Sequence, residues 1–305
     1  MRKYEKLAYA YMLDEETTVL ESLEKVYSRA LGDINERIKV MQADELMQNR
    51  VYRIEAQEAL KGQVEAILER LHTQEYETIE EYLKESYTDG FVAVVYSLHK
   101  QGLPLTMPID QRQVVKALVT NSEISEGLYK SLGVDTEHLR DVIAAEISRG
   151  IAANMSFAEM ARNVENQANI PKNRARGIVI TESHRIREEA SQDGRVEAKK
   201  QGADIFKQWD ATLDGKTRDT HRWLDGQIRE VDKPFEVDGK KAMQPGGFGL
   251  AEEDCNCRCV ALTRARWGLD EKELETLKER ADYFELDKTD SFEEFKRKYL
   301  DATKE

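Results

Sequence analysis

Ile205-Phe-Lys-Gln-Trp-Asp-Ala-Thr-Leu-Asp-Gly215 marks the point at which the chain changes character. Residues 205–209 read as a short strand, and Asp214-Gly215 carries turn chemistry. Two further strands are predicted downstream, at 227–231 and 235–237, the second ending in the hairpin-like pair Asp238-Gly239. Pro245-Gly-Gly-Phe-Gly249 is a loop, and Cys259-Val-Ala-Leu-Thr263 has strand composition again. Upstream, the pattern predicts helices almost without interruption. The first proline is Pro104, and only Gly32, Gly62 and Gly90 interrupt the first hundred residues, so long helices are expected over 15–100. The reading that results is an α+β chain, predominantly α. A long N-terminal helical region occupies 1–150, a compact module with a few short strands 151–268, and an acidic helical tail 269–305.

Local patterns refine this division. Ala56, Ala59, Leu60, Val64, Ile67, Leu68 and Leu71 form an apolar stripe at three- and four-residue spacing, with Glu58, Lys61 and Glu69 on the other faces. The continuous apolar run over 91–96 reads as a buried helix segment, because its neighbours are helical. A turn-rich break follows at 101–108. Short helices are expected over 109–119 and 122–132. Another, capped by Asp135 or Thr136, carries Leu139, Val142, Ile143 and Ile147 on one face and ends at Gly150. Ser156-Phe-Ala-Glu159 is a capping box opening a short helix to about 166. After Pro171 a separate long helix is predicted over 174–200, stopping at Gly202. Further boxes at Asp270-Glu-Lys-Glu273 and Ser291-Phe-Glu-Glu294 open helices in the tail.

Of the 305 residues, 40% are hydrophobic and 34% charged, and the formal net charge is −13. That acidity excludes a dedicated DNA-coating role for the whole chain, since neutralising phosphates requires cationic surface. It leaves room for a local basic patch. No apolar stretch is long enough to cross a bilayer, and the N-terminal residues make a poor signal peptide, so no membrane association and a cytoplasmic site of synthesis are expected.

All three cysteines fall in Cys255-Asn-Cys-Arg-Cys259. With no distant partner and an odd count, a disulfide framework is excluded. Residues two apart in an extended segment lie at the outer limit of disulfide geometry. Reduced thiols, a metal site and intermolecular chemistry remain open. The other polar residues of note are Thr181, Glu182, His184, Arg185 and Arg187 on the long helix, then Trp209-Asp210, Asp214, Thr217-Arg218-Asp219-Thr220-His221 and Leu224-Asp225-Gly226-Gln227.

This order resembles the Mu-F-like head-morphogenesis domain of minor head (minor capsid) proteins of tailed bacteriophages and prophages. The correspondence runs from Thr-Glu on a helix through Trp-Asp-Ala, Thr-Arg-Asp-Thr-His and Leu-Asp-Gly-Gln to Asn-Cys-Arg-Cys, and covers about 173–263. Cys255 is a departure, adding a thiol ahead of the family's pattern. The resemblance implies a virion head protein, assembled in the host cytoplasm in few copies per particle. It implies association with the portal protein, with scaffold or major capsid protein as further candidate partners, and possible contact with DNA. Thr181, Glu182, Trp209, Asp210, Asp214, Arg218, Asp225 and Gly226 are its motif residues and read as structural.

Thiolates and imidazole are preferred zinc ligands, so His221, Cys255, Cys257 and Cys259 form a candidate four-ligand set. A regular strand would spread the thiols too widely, and a sharp turn is required. The alternative is that the thiols are buried and behave as small hydrophobes. A metal- or thiol-dependent enzyme is the second function class, but no third catalytic group or oxyanion loop is recognisable, so catalysis is not expected. The third is DNA binding through Lys172, Arg174, Arg176, Arg185 and Arg187, a stretch that reads first as a solvated helix surface.

Overall fold

The computed structural model describes residues 1–42, 50–119, 138–139, 141–143, 145–146, 149, 157–266, 289 and 291–302. The helix expected at 122–132, the caps at Asp135, Thr136 and Ser156, the stop at Gly150 and the box at Asp270 lie outside these residues. The fold is α+β and predominantly α, as expected. Its helices are α1 (Lys3–Gln42), α2 (Arg50–Lys100), α3 (Gln111–Val119), α4 (Phe157–Lys200), α5 (Asp219–Leu224), α6 (Ala251–Asp254) and α7 (Phe292–Ala302). The strands are β1 (Ile205–Asp210), β2 (Ile228–Glu230), β3 (Phe235–Val237), β4 (Lys240–Ala242) and β5 (Val260–Ala265).

One helix expectation is corrected. The short helix to 166 and the long helix from 174 are a single helix, α4, with Pro171 inside it. Proline removes one helical hydrogen bond, but Ala168, Ala175, Ile178 and Val179 are all buried on either side of it. Their apolar spacing carries the buried face through the position where local propensity alone would stop it. At its end α4 stops as expected. Gly202 adopts φ +90, and the amides of Gly202 and Ala203 bond the Lys199 and Ala198 carbonyls in a Schellman closure.

The chain forms two compact units, neither of which is a single stretch of sequence. One is made of 17–81 and 126–179, the other of 1–16, 82–125 and 180–305. The first is helical. It buries Leu60, Val64, Ile67, Leu68 and Leu71 of the expected stripe, while Ala59 is exposed. Tyr27 donates to Glu75 at 2.6 Å inside it.

The second unit holds all the strands among the described residues. Its helical base is a close crossing of α2 and α4. A Cβ at Gly90 would lie 2.2 Å from the Arg187 carbonyl oxygen, and one at Gly194 would lie 3.3 Å from the Val94 side chain. Ser191 donates to the Gly90 carbonyl at 2.9 Å. On this base lies an antiparallel sheet of order β2-β1-β5, with Trp209 opposite Ala261 and Lys207 opposite both Arg229 and Thr263. β3 and β4 form a separate hairpin. Asp238 and Gly239 at its turn both have positive φ, as a type I′ turn requires. The sequence pointed to this turn but not to β4, whose Lys240-Lys-Ala242 has no strand signature.

The outer edge of β5 is closed by side chains rather than by another strand. His184 donates to the Cys259 carbonyl at 2.7 Å, and Glu188 accepts the Ala261 amide at 3.0 Å. Arg195 donates to the Ala261 carbonyl at 2.7 Å. Gln101 donates to the Thr263 carbonyl at 2.9 Å and accepts the Ala265 amide at 3.0 Å. Helix α4 and Gln101, the residue that follows α2, thus satisfy ladder positions that an edge strand leaves open. Trp209, Ala211, Leu224, Phe235, Val237, Cys257, Cys259 and Ala261 form one apolar cluster, with Phe248 packed against it.

Candidate metal centre

Three short elements converge on that cluster. The first is α5, a six-residue helix too short to be stable alone. It is tied to β1 at its far end, where Asp225 accepts the Ala211 amide at 2.8 Å. Gly226, at φ +76, donates to the Trp209 carbonyl at 2.9 Å, and Gln227 accepts the Trp209 amide at the same distance. So held, α5 turns His221 and Leu224 inward. The second is α6. Asp254 gathers the amides of Phe248, Gly249 and Leu250 at 3.1, 2.7 and 3.2 Å, which shapes the loop expected at 245–249. The third is the segment after α6, where Asn256 takes a left-handed conformation at φ 54. Asparagine tolerates that region better than most residues. It supplies the sharp turn that a regular strand could not, and Cys257 to Cys259 are irregular ahead of β5.

The result brings His221, Cys257 and Cys259 together. Their ligand atoms lie within 4.8 Å of one another, and all three residues are buried. His221 Nδ1 is 3.7 Å from Cys257 Sγ and 3.2 Å from Cys259 Sγ. A tetrahedral zinc would separate bound nitrogen and sulfur by about 3.5 Å, so the spacing and the donor set both fit a metal. Two rings pack against His221, Trp209 in a T-shaped contact at a centroid distance of 5.7 Å and Phe248 stacked at 6.2 Å. The Cys257 thiol donates to Cys259, which with burial pushes Cys257 up. The same bond pulls Cys259 down against its own burial.

Cys255 does not join. It is half-buried and outside the cluster, and its carbonyl accepts from Arg218 at 2.6 Å. The expected four-ligand set is therefore three residues, because the turn at Asn256 separates Cys255 from the two thiols beyond it. Among the described residues no fourth His, Cys, Asp or Glu completes the group.

Other motif residues build the frame. Thr181 accepts the Asn256 amide at 3.3 Å, which ties α4 to the turn. Asp214 makes a two-pronged pair with Arg258 at 2.6 and 2.7 Å, which holds its carboxyl well below the usual range. Trp209 is fully buried and Asp210 ends β1 opposite Val260. Glu182 is buried beside Arg185.

The expected cationic surface is corrected in part. Arg185 and Arg187 are buried and internal. Arg185 pairs with Glu182 at 3.1 Å and Glu189 at 2.8 Å and donates to the Ala117 carbonyl at 3.0 Å. Arg187 pairs with Glu16 at 2.8 Å and donates to the Met12 carbonyl at 3.1 Å. Burying guanidinium groups requires this many acceptors, which leaves none of their charge for phosphate. In the other unit, Lys172 pairs with Glu24 at 3.0 Å, Arg174 is exposed and Arg176 is half-buried.

Sequence reasoning missed the carboxylate at the back of the histidine. Glu253 Oε2 lies 3.2 Å from His221 Nε2. It also accepts from Thr220 at 2.8 Å, while Oε1 accepts from Lys240 at 2.6 Å. Burial works against its charge, yet these bonds bring Glu253 below the ordinary carboxylate value. In sequence it sits in Glu-Glu-Asp254, a run that reads as solvated. Its position just ahead of the cysteines was the available signal.

Residues 140–262 match the family model of phage Mu protein F like protein. That stretch is similar to the phage Mu protein F like family. The match begins before the motif-bearing stretch and takes in all of α4 and the metal-centre residues. Over 190 residues, 60% of each chain, the sequence is 30% identical to minor head protein GP7 of Bacillus phage SPP1. Over 240 residues it is 32% identical to NAD(+)--arginine ADP-ribosyltransferase EFV of Enterococcus faecalis (strain ATCC 700802 / V583), covering 78% of this chain and 49% of the relative. The chain thus spans about half to three fifths of the length of these curated relatives. No solved structure matches it. No described helix is long and apolar enough to cross a membrane.

Proposed function

We propose that this chain is a minor head protein of a tailed phage or prophage, a non-enzymatic assembly factor. It binds at or near the portal of the procapsid during assembly in the host cytoplasm and is carried into the virion head. The observation that carries this reading is the Mu F-like match together with the likeness to a minor head protein. The structure supports it in a further way. The motif residues pin α4, α5 and the Asn256 turn to one another, which is what a domain built to present a surface requires. Scaffold or major capsid protein are the other candidate partners. Any contact with DNA falls to Lys172, Arg174 and Arg176, since Arg185 and Arg187 are committed internally. Co-expression with the cognate portal followed by pull-down tests the proposal.

Zinc at His221, Cys257 and Cys259 is part of this reading, as a structural staple joining α5 to the segment before β5. A small strand module gains much from such a crosslink. Elemental analysis of protein purified without chelator or histidine tag should give one zinc per chain, and zinc well below that ratio would remove the staple.

A thiol-enzyme reading draws on the same atoms, because Cys259, His221 and Glu253 stand in the order nucleophile, base and orienting acid. The side chains of His221 and Glu253 are only 3% and 4% exposed, and Cys259 is 2% exposed. All three side chains are closed to solvent, so the staple is the better account. Turnover lost in His221→Ala would favour the enzyme.

A further inference from the structure

We infer that Glu253 is the positioning residue of the metal centre, holding His221 in the tautomer and orientation that present Nδ1 to the metal. This rests on the zinc reading above. A neutral imidazole carries one ring proton, and its two nitrogens here face opposite environments. Nδ1 faces the two sulfurs at 3.7 and 3.2 Å. Nε2 faces a carboxylate oxygen at 3.2 Å and is buried, and it lies off the angle of a formed hydrogen bond. A proton on Nδ1 would set the Nε2 lone pair against the carboxylate and block the ligand position. A proton on Nε2 points its N–H toward Glu253 and frees the Nδ1 lone pair for the metal. A small rotation of the ring then completes the bond that Nε2 lacks. Metal-bound histidines commonly use such a carboxylate on their second nitrogen, and it also raises their basicity as ligands.

The carboxylate is itself fixed, which distinguishes it from a passing acid. Oε2 accepts from Thr220, the neighbour of His221 on α5, and Oε1 accepts from Lys240 on β4. Lys240 also reaches Glu252 at 2.7 Å. Elements α5, α6 and β4 therefore meet at one carboxylate, and the hairpin is tied into the metal centre through Lys240. Glu253 belongs to no ligand group among the described residues, so its route to the metal is through His221.

The test measures zinc affinity of the full chain by competition with a chromophoric chelator at fixed pH. It compares the unaltered protein with Glu253→Gln, Lys240→Met and Cys259→Ser. Glu253→Gln keeps the side-chain shape, and should lower affinity about 10- to 100-fold at unchanged one-to-one stoichiometry. Loaded with cobalt(II) instead, it should retain the thiolate charge-transfer band, because both sulfurs still bind. Lys240→Met should lower affinity in the same direction by a smaller factor, and Cys259→Ser, which removes one of the two thiolates, should weaken the cobalt band. Unaltered affinity in Glu253→Gln would overturn the inference and leave Glu253 a link between α6 and β4. If Glu253→Gln loses its far-UV helicity, Lys240→Met decides, and wild-type affinity there overturns the inference. Absence of zinc binding by the unaltered chain would instead remove the metal reading itself, an outcome separate from either of these.

Discussion

Arg195, wholly buried on α4, donates to the carbonyl of Ala261 on β5 at 2.7 Å across 66 residues of sequence. It also donates to the Thr263 hydroxyl at 3.3 Å and to Gln192 at 3.3 Å. The neighbouring Glu188 takes the Ala261 amide, so one residue of the edge strand is satisfied on both sides by one helix. Burial pushes Arg195 down to about 10 and Glu188 up to about 7, each partly restored by the charge of the other.

Arg195→Met should therefore destabilise the strand-bearing unit by about 3–5 kcal/mol, because it strands a carbonyl and removes the charge that offsets Glu188. Urea unfolding followed by near-UV circular dichroism checks this. With Glu188→Gln already present, the same change should cost less, since the carboxylate it isolates is gone. Equal losses in both backgrounds would mean that the two side chains act independently.

The crossing of α2 and α4 gives a second prediction. Gly90→Ala places a methyl group 2.2 Å from the Arg187 carbonyl, a distance that only movement of backbone can relieve. Overpacking of this kind costs about 1–3 kcal/mol or more. Gly62 is also within α2 but meets nothing within 4 Å. There the same substitution should stabilise by about 0.5–1 kcal/mol through backbone entropy. Opposite shifts in melting temperature for the two variants would verify the crossing, and a neutral Gly90→Ala would contradict it.

Lys207 gives a third, in pH. It is fully buried on β1, and its ammonium donates to the Val231 and Met243 carbonyls at 3.0 and 2.8 Å over the Phe235 ring. Burial first, and then the charge of Arg195, push it down to about 7 from the ordinary 10.5. Between those values the unfolded chain binds the proton and the folded chain does not, so this group's contribution rises with pH across the window and is lost as pH falls toward 7. Lys207→Met should remove that part of the slope in unfolding free energy between pH 7 and 10.5. An unchanged slope would show that Lys207 titrates alike in both states.

Much of this architecture is legible in the residues themselves. Ile205 to Trp209, the Asp238-Gly239 turn, the buried helix over 91–96 and the stop at Gly202 depend on local chemistry, and the structure agrees with each. The meeting of His221 with Cys257 and Cys259 follows from ligand chemistry and the need for a turn, which Asn256 supplies. What local pattern hides is tertiary. Arg187 reads as surface charge because its partner Glu16 lies 171 residues away. Pro171 reads as a stop because the apolar contacts that carry α4 past it come from elsewhere. Gly194 reads as a weak point in a helix, whereas its missing side chain is what lets Val94 approach. Glu253 reads as solvated until Lys240 and Thr220 are seen to hold it.

The proposed association with the portal is open to direct test. The most direct measurement is co-expression of the full chain with its cognate portal, affinity capture of the portal, and size-exclusion chromatography of what is retained. Co-elution of the chain with assembled portal at a fixed ratio, preserved in His221→Ala under conditions where no small-substrate turnover is found, is the predicted result. Elution of the chain apart from portal and procapsid, together with a turnover that His221→Ala abolishes, would contradict it.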